Sequence, residues 1–286
     1  MKVSVLGLGI MGAGMASQLV AKGFDVAVWN RNPAKAAPLA KLGARVANTV
    51  ADAVSDADLV IAMVADDVAS REVWLGSKGA LAAMRHDAIA IESSTLTIEW
   101  VRELATAAEA RGIGFLDAPV TGSKMQADSG TLAFLVGGRA DLLERARPAL
   151  AAMSGGVRHL GPSGSGATMK LINNFLCGVQ VASLAEAMAM AERSGLDAHQ
   201  AAAVLGAGSP GSPLVKMVAQ RMLDRAYEPN FFVPLMAKDL AYAREAFARM
   251  GFELKSADVA RELFLAAERA GFGEQDIASV VELLRR

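Results

Sequence analysis

The chain has 286 residues, a formal net charge of −1 and 53% hydrophobic residues, long enough for two domains with separate cores. So balanced a charge gives no electrostatic reason to expect nucleic acid or a membrane surface as partner. Its one cysteine, Cys177, excludes an intramolecular disulfide framework and a cysteine-ligated zinc, and His86, His159 and His199 lie too far apart to suggest ligand spacing.

The chain opens straight into the apolar strand Val3–Leu6, without a charged segment and apolar run before it. No secretory leader is therefore expected, and the cytoplasm is the expected location. The strand breaks into Gly7-Leu8-Gly9-Ile10-Met11-Gly12 and then into a helical run over Ala13–Lys22. This Gly-x-Gly-x-x-Gly spacing suits a dinucleotide pyrophosphate. Gly7 allows the tight turn, Gly9 leaves no Cβ between chain and phosphate, and Gly12 lets the helix pack closely on the strand. The next strand, read over Val26–Trp29, ends in Asn30-Arg31 rather than in a carboxylate. A carboxylate there would repel a 2′-phosphate, whereas the Arg31 guanidinium can pair with one and Asn30 can donate to ribose or phosphate. NADP(H) is thus preferred, with NAD(H) possible; taken alone, Arg31 also reads as a solvated surface charge.

Further strands are expected at Leu59–Met63, Ala88–Glu92, Gly114–Leu116, Ala133–Val136 and Val157–Leu160, with helices at Pro33–Lys41, Ile98–Arg111 and Ala140–Met153. Such alternation predicts a doubly wound α/β sheet, a Rossmann-type domain spanning residues 1–162. In these sheets ligands bind beyond the carboxyl ends of the strands. Met63 and Val64 are there placed to line a nicotinamide ring, and Thr95 to touch its ribose. After the strand at Phe115-Leu116, Thr121, Gly122 and Ser123 offer hydroxyls and backbone amides as a cradle for a small carboxylate; a plain polar loop would look the same.

From Gly161-Pro162-Ser163-Gly164-Ser165-Gly166 onward no convincing strand follows, and residues 163–286 read as an all-α second domain. Its first helix is expected from Gly166 to Arg193, about 40 Å at ~1.5 Å per residue. It is apolar on several faces, so it must pack on more than one side, against its own domain and a second subunit. A homodimer or homotetramer is expected. The stretch Leu171–Ala191 carries Asn173, Asn174, Gln180 and Glu186, which favours a buried helix over a membrane span. Near the start of this helix Lys170 and Asn174 form an i, i+4 pair on one face. Apolar neighbours would push the lysine pKa down towards the working range of a general acid, although a snorkelling lysine fits the spacing equally well. Farther on lie Phe231 and the adjacent Lys238-Asp239, by default a surface ion pair.

These segments, in this order, resemble the β-hydroxyacid dehydrogenase family over essentially the whole chain. The marks are the Gly7–Gly12 turn, the loop from Asp117 to Gly122, Gly166-x-x-x-Lys170 with Asn174, and Lys238-Asp239-Leu240. The resemblance implies that Lys170 is the general acid/base, that Asn174 orients the substrate and that Thr121, Gly122 and Ser123 hold its carboxylate. It further implies cofactor contacts from Thr95 and Lys238, with Phe231 and Asp239 bordering the site and Asp239 able to position Lys170. Gly122-Ser123-Lys124 and Gly130-Thr131-Leu132 are similar to the glyoxylate/succinic semialdehyde reductase branch, typically NADPH-using. Thr121 stands where the family commonly has serine, and its extra methyl narrows the pocket.

The expected activity is hydride transfer between NADP(H) and a small hydroxy acid or aldehyde acid, without a metal, because the Lys170 ammonium supplies the polarisation. The alternatives are a 3-hydroxyisobutyrate dehydrogenase, an imine reductase, against which Lys170 argues, and a non-catalytic NADP-binding protein.

Overall fold

A computed structural model describes residues 1–285. The chain folds as two compact units, Met1–Lys170 and Leu171–Arg286. The first carries nine strands: β1 (Lys2–Leu6), β2 (Asp25–Trp29), β3 (Arg45–Val46), β4 (Leu59–Ala62), β5 (Ile89–Glu92), β6 (Gly114–Asp117), β7 (Val120–Thr121), β8 (Leu132–Gly138) and β9 (Ser154–Gly161). Between them run α1 (Ile10–Ala21), α2 (Ala37–Lys41), α3 (Val50–Val54), α4 (Asp67–Leu75), α5 (Ala80–Ala83), α6 (Ile98–Glu109), α7 (Lys124–Ser129) and α8 (Ala140–Ala152).

The strand order is β3-β2-β1-β4-β5-β6-β8-β7, with β9 on β8. From β3 to β6 every pairing is parallel, the doubly wound arrangement expected from the sequence. Its order reverses between β1 and β4, which puts the ligand crevice beyond Leu6 and Ala62. Successive side chains of β1 and β4 feed opposite faces: Val3, Val5, Leu59 and Ile61 join one buried cluster, and Leu6, Val60 and Ala62 the other. Burial on both faces is why these strands read as unbroken apolar runs.

Two features depart from the expected pattern. β8 runs antiparallel to β6 and β7, so the far edge of the sheet is mixed; the two-residue strands β3 and β7 are too short to show any periodicity. The helix expected over Pro33–Lys41 splits into a 3₁₀ turn, Pro33–Ala36, and α2. Pro38 in the first turn of α2 lacks the N–H that a continuous helix would use.

α9 (Ser165–Arg193) follows the first domain's last strand, and the division between the compact units falls within it. By length and composition α9 would suffice to cross a membrane, but half of its apolar window is buried in the protein. The second unit continues with α10 (Ala198–Ala207), α11 (Pro213–Asp224), α12 (Val233–Arg249), α13 (Lys255–Ala267) and α14 (Val281–Arg285). Its core joins Val181, Met188, Met222, Met236, Leu240 and Phe264, and no strand occurs among its described residues.

Candidate active site

The three glycines of the β1–α1 turn differ in what a side chain would meet. Gly7 has φ +97°, and a Cβ on it would meet the Met63 carbonyl oxygen at 2.3 Å. On Gly12 a Cβ would lie 2.0 Å from the Gly7 oxygen, so both glycines serve the protein's own packing. Gly9 differs: a Cβ there would meet nothing within 4 Å. It is the N-cap of α1, with no side-chain cap and no acidic residue in the first turn. An uncapped helix start with room at Gly9, at the end of β1, fits a dinucleotide pyrophosphate.

Asn30 has a second task. Its Oδ1 accepts the Leu8 amide at 2.8 Å and its Nδ2 donates to the Asn32 carbonyl at 2.9 Å. The side chain thus pins the glycine turn, and one amide hydrogen remains for a ligand. Arg31 is exposed and makes no ion pair among the described residues. Met63 and Val64 lie half-buried just beyond β4, beside Gly7.

Glu92, the last residue of β5, was legible only as part of a segment. Buried to 1% exposure, it accepts Ser70 Oγ at 2.6 Å, Trp74 Nε1 at 2.8 Å and the Ser94 amide at 2.8 Å. Burial pushes its carboxyl up, and these donors pull it back. Ser94 Oγ in turn accepts the Val64 amide at 2.8 Å. One buried acid therefore ties the end of β5, which leads to half-buried Thr95, to the end of β4.

The substrate-loop motif proves to be a helix start and a helix stop. Gly122 has φ +118°. The Ser123 amide and hydroxyl both donate to Gln126 Oε1, at 2.8 and 2.6 Å, closing the first turn of α7. Gly130, at φ +68°, is its left-handed C-cap. Lys124 pairs with Asp128 at 2.6 Å on the surface. Gly14 of α1 is a further glycine the motif omits; a Cβ on it would lie 2.9 Å from Ala127 Cβ, so α1 and α7 pack at close range. Thr121, half-buried on β7, has a hydroxyl with no hydrogen bond among the described residues.

Lys170 is half-buried in the second turn of α9, and Asn174 follows one turn later, 2% exposed. In the second unit Asn174 Nδ2 donates to Asp239 Oδ2 at 2.6 Å. Lys238 Nζ stands 2.9 Å from Asp239 Oδ1 and 4.6 Å from the Tyr242 ring centroid. The side chains of this pair are only 17% and 2% exposed, which corrects the surface ion pair expected from sequence. Helix packing buries Asp239, and that burial makes a strong anchor for Asn174. Although Lys238 Nζ is near, Asp239 Oδ1 makes no hydrogen bond of good geometry.

Phe231 is half-buried ahead of α12. Its amide donates to buried Asp276 Oδ2 at 3.1 Å, as does that of Asn230 at 2.9 Å, while Arg221 Nε reaches Asp276 Oδ1 at 3.2 Å. Asp276 also caps the 3₁₀ turn Ile277–Val280 by accepting the Ala278 amide at 3.1 Å; local sequence marks it as a cap only, because its other partners lie 45 or more residues away. His86 and His159 each bond a backbone carbonyl, at 2.9 and 2.8 Å.

The comparisons with known proteins agree with this layout. Residues 2–161 match the NAD-binding domain of 6-phosphogluconate dehydrogenase, and residues 164–284 the NAD-binding domain of NADP-dependent 3-hydroxyisobutyrate dehydrogenase. The chain is 34% identical to an NAD-dependent L-serine dehydrogenase of Pseudomonas aeruginosa, over 99% of its length and 97% of the relative's. It is 32% identical to glyoxylate/succinic semialdehyde reductase 2 of Arabidopsis thaliana, over 99% of this chain and 79% of that one. Among solved structures, 3-hydroxyisobutyrate dehydrogenase of Mycobacterium tuberculosis with L-serine superimposes with a TM-score of 0.89 at 33% identity, covering 100% of this chain and 99% of the other. The glycine turn between β1 and α1, the Rossmann order of the sheet and these whole-length matches make the chain a member of the β-hydroxyacid dehydrogenase family, an NAD(P)-dependent oxidoreductase.

Proposed function

We propose that the protein is an NADP(H)-linked reductase of small aldehyde acids, glyoxylate or succinic semialdehyde, with Lys170 as general acid/base. The observation that carries this reading is the placement of Lys170 and Asn174 one turn apart on a single continuous helix, with Asn174 anchored by buried Asp239. Bound nicotinamide supplies the hydride in the reducing direction and receives it in the other. Lys170 polarises the substrate carbonyl through its ammonium and passes a proton to the oxygen as negative charge develops there. Asn174 orients the substrate, and Thr121 with the amides around Gly122 and Ser123 holds its carboxylate. Thr95 and Lys238 serve the cofactor, and Phe231 and Asp239 border the substrate.

NADP(H) is supported by exposed Arg31 and by the lack of a carboxylate at the end of β2. The Gly122-Ser123-Lys124 start of α7 supports the glyoxylate/succinic semialdehyde substrate class. A second reading, 3-hydroxyisobutyrate as substrate, is favoured by the match to the Mycobacterium tuberculosis structure. The exposed apolar residues Met169, Ile172 and Leu176 recur at helical spacing along α9 and support a homo-oligomer, a dimer or tetramer that light scattering would detect.

The deciding experiment is reductase turnover with glyoxylate, succinic semialdehyde and methylmalonate semialdehyde, each with NADPH and NADH. A larger kcat/KM with NADH, or with methylmalonate semialdehyde, overturns the corresponding half of the reading. Lys170→Met is expected to lower kcat by roughly 10²–10⁴-fold, the usual worth of a general acid, with NADPH affinity retained. A near-normal rate would remove the lysine from the mechanism.

A further inference from the structure

Asp117 closes β6 and is completely buried, yet it makes no ion pair among the described residues. Its carboxylate is instead turned on the start of α9. Oδ1 accepts the Gly164 amide and Oδ2 the Ala167 amide, each at 2.8 Å. These are the N-cap amide and one of the first-turn amides that a helix leaves without internal partners. α9 has no acidic residue of its own in its first turn, so Asp117 serves as a cap reached from another element.

Room for that carboxylate exists because two neighbours are glycine. A Cβ on Gly137 would lie 2.5 Å from Oδ1. On Gly166 it would lie 2.9 Å from Oδ2 and 2.2 Å from the Leu135 carbonyl oxygen. Gly166 thus lets the first turn of α9 descend onto β6 and β8, and Lys170 follows Gly166 by four residues, about one turn on the same face. The backbone that fixes Asp117 also leads into Ala118-Pro119-Val120-Thr121, the substrate loop.

We propose that Asp117 is a positioning residue: its carboxylate sets the rotation and depth of the first turn of α9, and through that turn the place of Lys170 relative to the loop at Thr121. The proposal rests on the reading of Lys170 as the general acid/base. Burial supports it, because desolvation pushes the Asp117 carboxyl up to about 6 even against the amides that stabilise its charge. Ionised at neutral pH, the group costs folding stability, so its value to the protein lies in what it orients.

Asp117→Asn keeps the size but turns one acceptor into a donor facing an N–H. Its kcat is expected to fall about 10²-fold, the effect of a misplacement near 1 Å, with NADPH affinity within about twofold of wild type. In a Lys170→Met background the same substitution is expected to change the residual rate by less than about twofold. Gly137→Ala, whose added methyl would have the Asp117 carboxylate as its nearest neighbour, supplies a second variant with the same expected signature should Asp117→Asn fail to fold. Wild-type kcat in either folded variant overturns the proposal, and so does an equal fall in the Lys170→Met background. Failure of the lysine reading shows separately, as an active Lys170→Met.

Discussion

The starts of α1 and α9 solve the same electrostatic problem in opposite ways. Each follows a strand of one sheet, each carries close-packed glycines, and each presents amides without helical partners. At α1 no side chain among the described residues caps the helix start, and a Cβ on Gly9 would meet nothing within 4 Å. At α9 the chain supplies its own anion, Asp117, and Gly137 and Gly166 make room for it. Glycine before a helix therefore has two meanings: space for a ligand's charge, or space for one of the protein's own. A positive helix end left open is available to a ligand's charge, and one closed from within is a fixed point for whatever the helix carries.

Filling the open start should uncouple stability from binding. Gly9 has φ −71° and ψ −170°, extended backbone that aspartate adopts readily as an N-cap. Gly9→Asp is expected to raise apo stability by about a few tenths of a kcal/mol, measured in urea. The same change places a carboxylate where the pyrophosphate approaches, and NADPH affinity is expected to fall by at least roughly 10²-fold from blockage and like-charge repulsion. Unaltered NADPH affinity would mean that the start of α1 is not the phosphate site.

The closed start should reveal itself through pH. Asp117 has its carboxyl raised from an ordinary 3.8 to about 6 in the folded protein, so the native state holds this proton more tightly than the unfolded chain. Its contribution to stability is complete below about pH 4 and is lost as pH rises through about 6, at most about 3 kcal/mol for a shift of this size. Asp117→Asn has no such proton. Its stability relative to wild type is therefore expected to improve by up to that amount between pH 4 and pH 7, measured by urea unfolding. Glu92, the register neighbour on β5, is common to both proteins and drops out of the difference. A constant gap across this range would contradict the raised pKa.

The open start was legible in the sequence and the closed one was not, for a physical reason. Gly7, Gly9 and Gly12 act within six residues, so their spacing between an apolar strand and a helical run specifies the turn, as the apolar runs of β1, β2, β4 and β5 alternating with helices specify the parallel sheet. Asp117 and Ala167 are 50 residues apart, and Glu92 and Ser70 are 22 apart. Such partnerships depend on strand order, which local pattern does not encode. For the same reason Lys238-Asp239 reads as a surface pair until helix packing buries it. Asn30 was singled out for a ligand, and its bond to Leu8 shows that a residue on the rim of a site also holds the site's shape.

α7 stands between the two cases, and the smallest expected effect tests it. Its start is closed by its own side chains: the Ser123 amide and hydroxyl both donate to Gln126. The neighbouring Thr121 hydroxyl has no hydrogen bond among the described residues and is available to a carboxylate. If capping and binding are divided in this way, Ser123→Ala mainly loosens α7. It should cost about 1 kcal/mol of stability, typical of a lost cap, and raise substrate KM by less than about threefold. Thr121→Val keeps the shape and the strand preference of β7 while removing the donor. It should leave stability within about 0.5 kcal/mol and raise KM by roughly tenfold, the worth of one hydrogen bond to a charged group. Steady-state kinetics on the two variants separates the alternatives, and a larger KM effect from Ser123→Ala would move the carboxylate-binding donor from β7 to the start of α7.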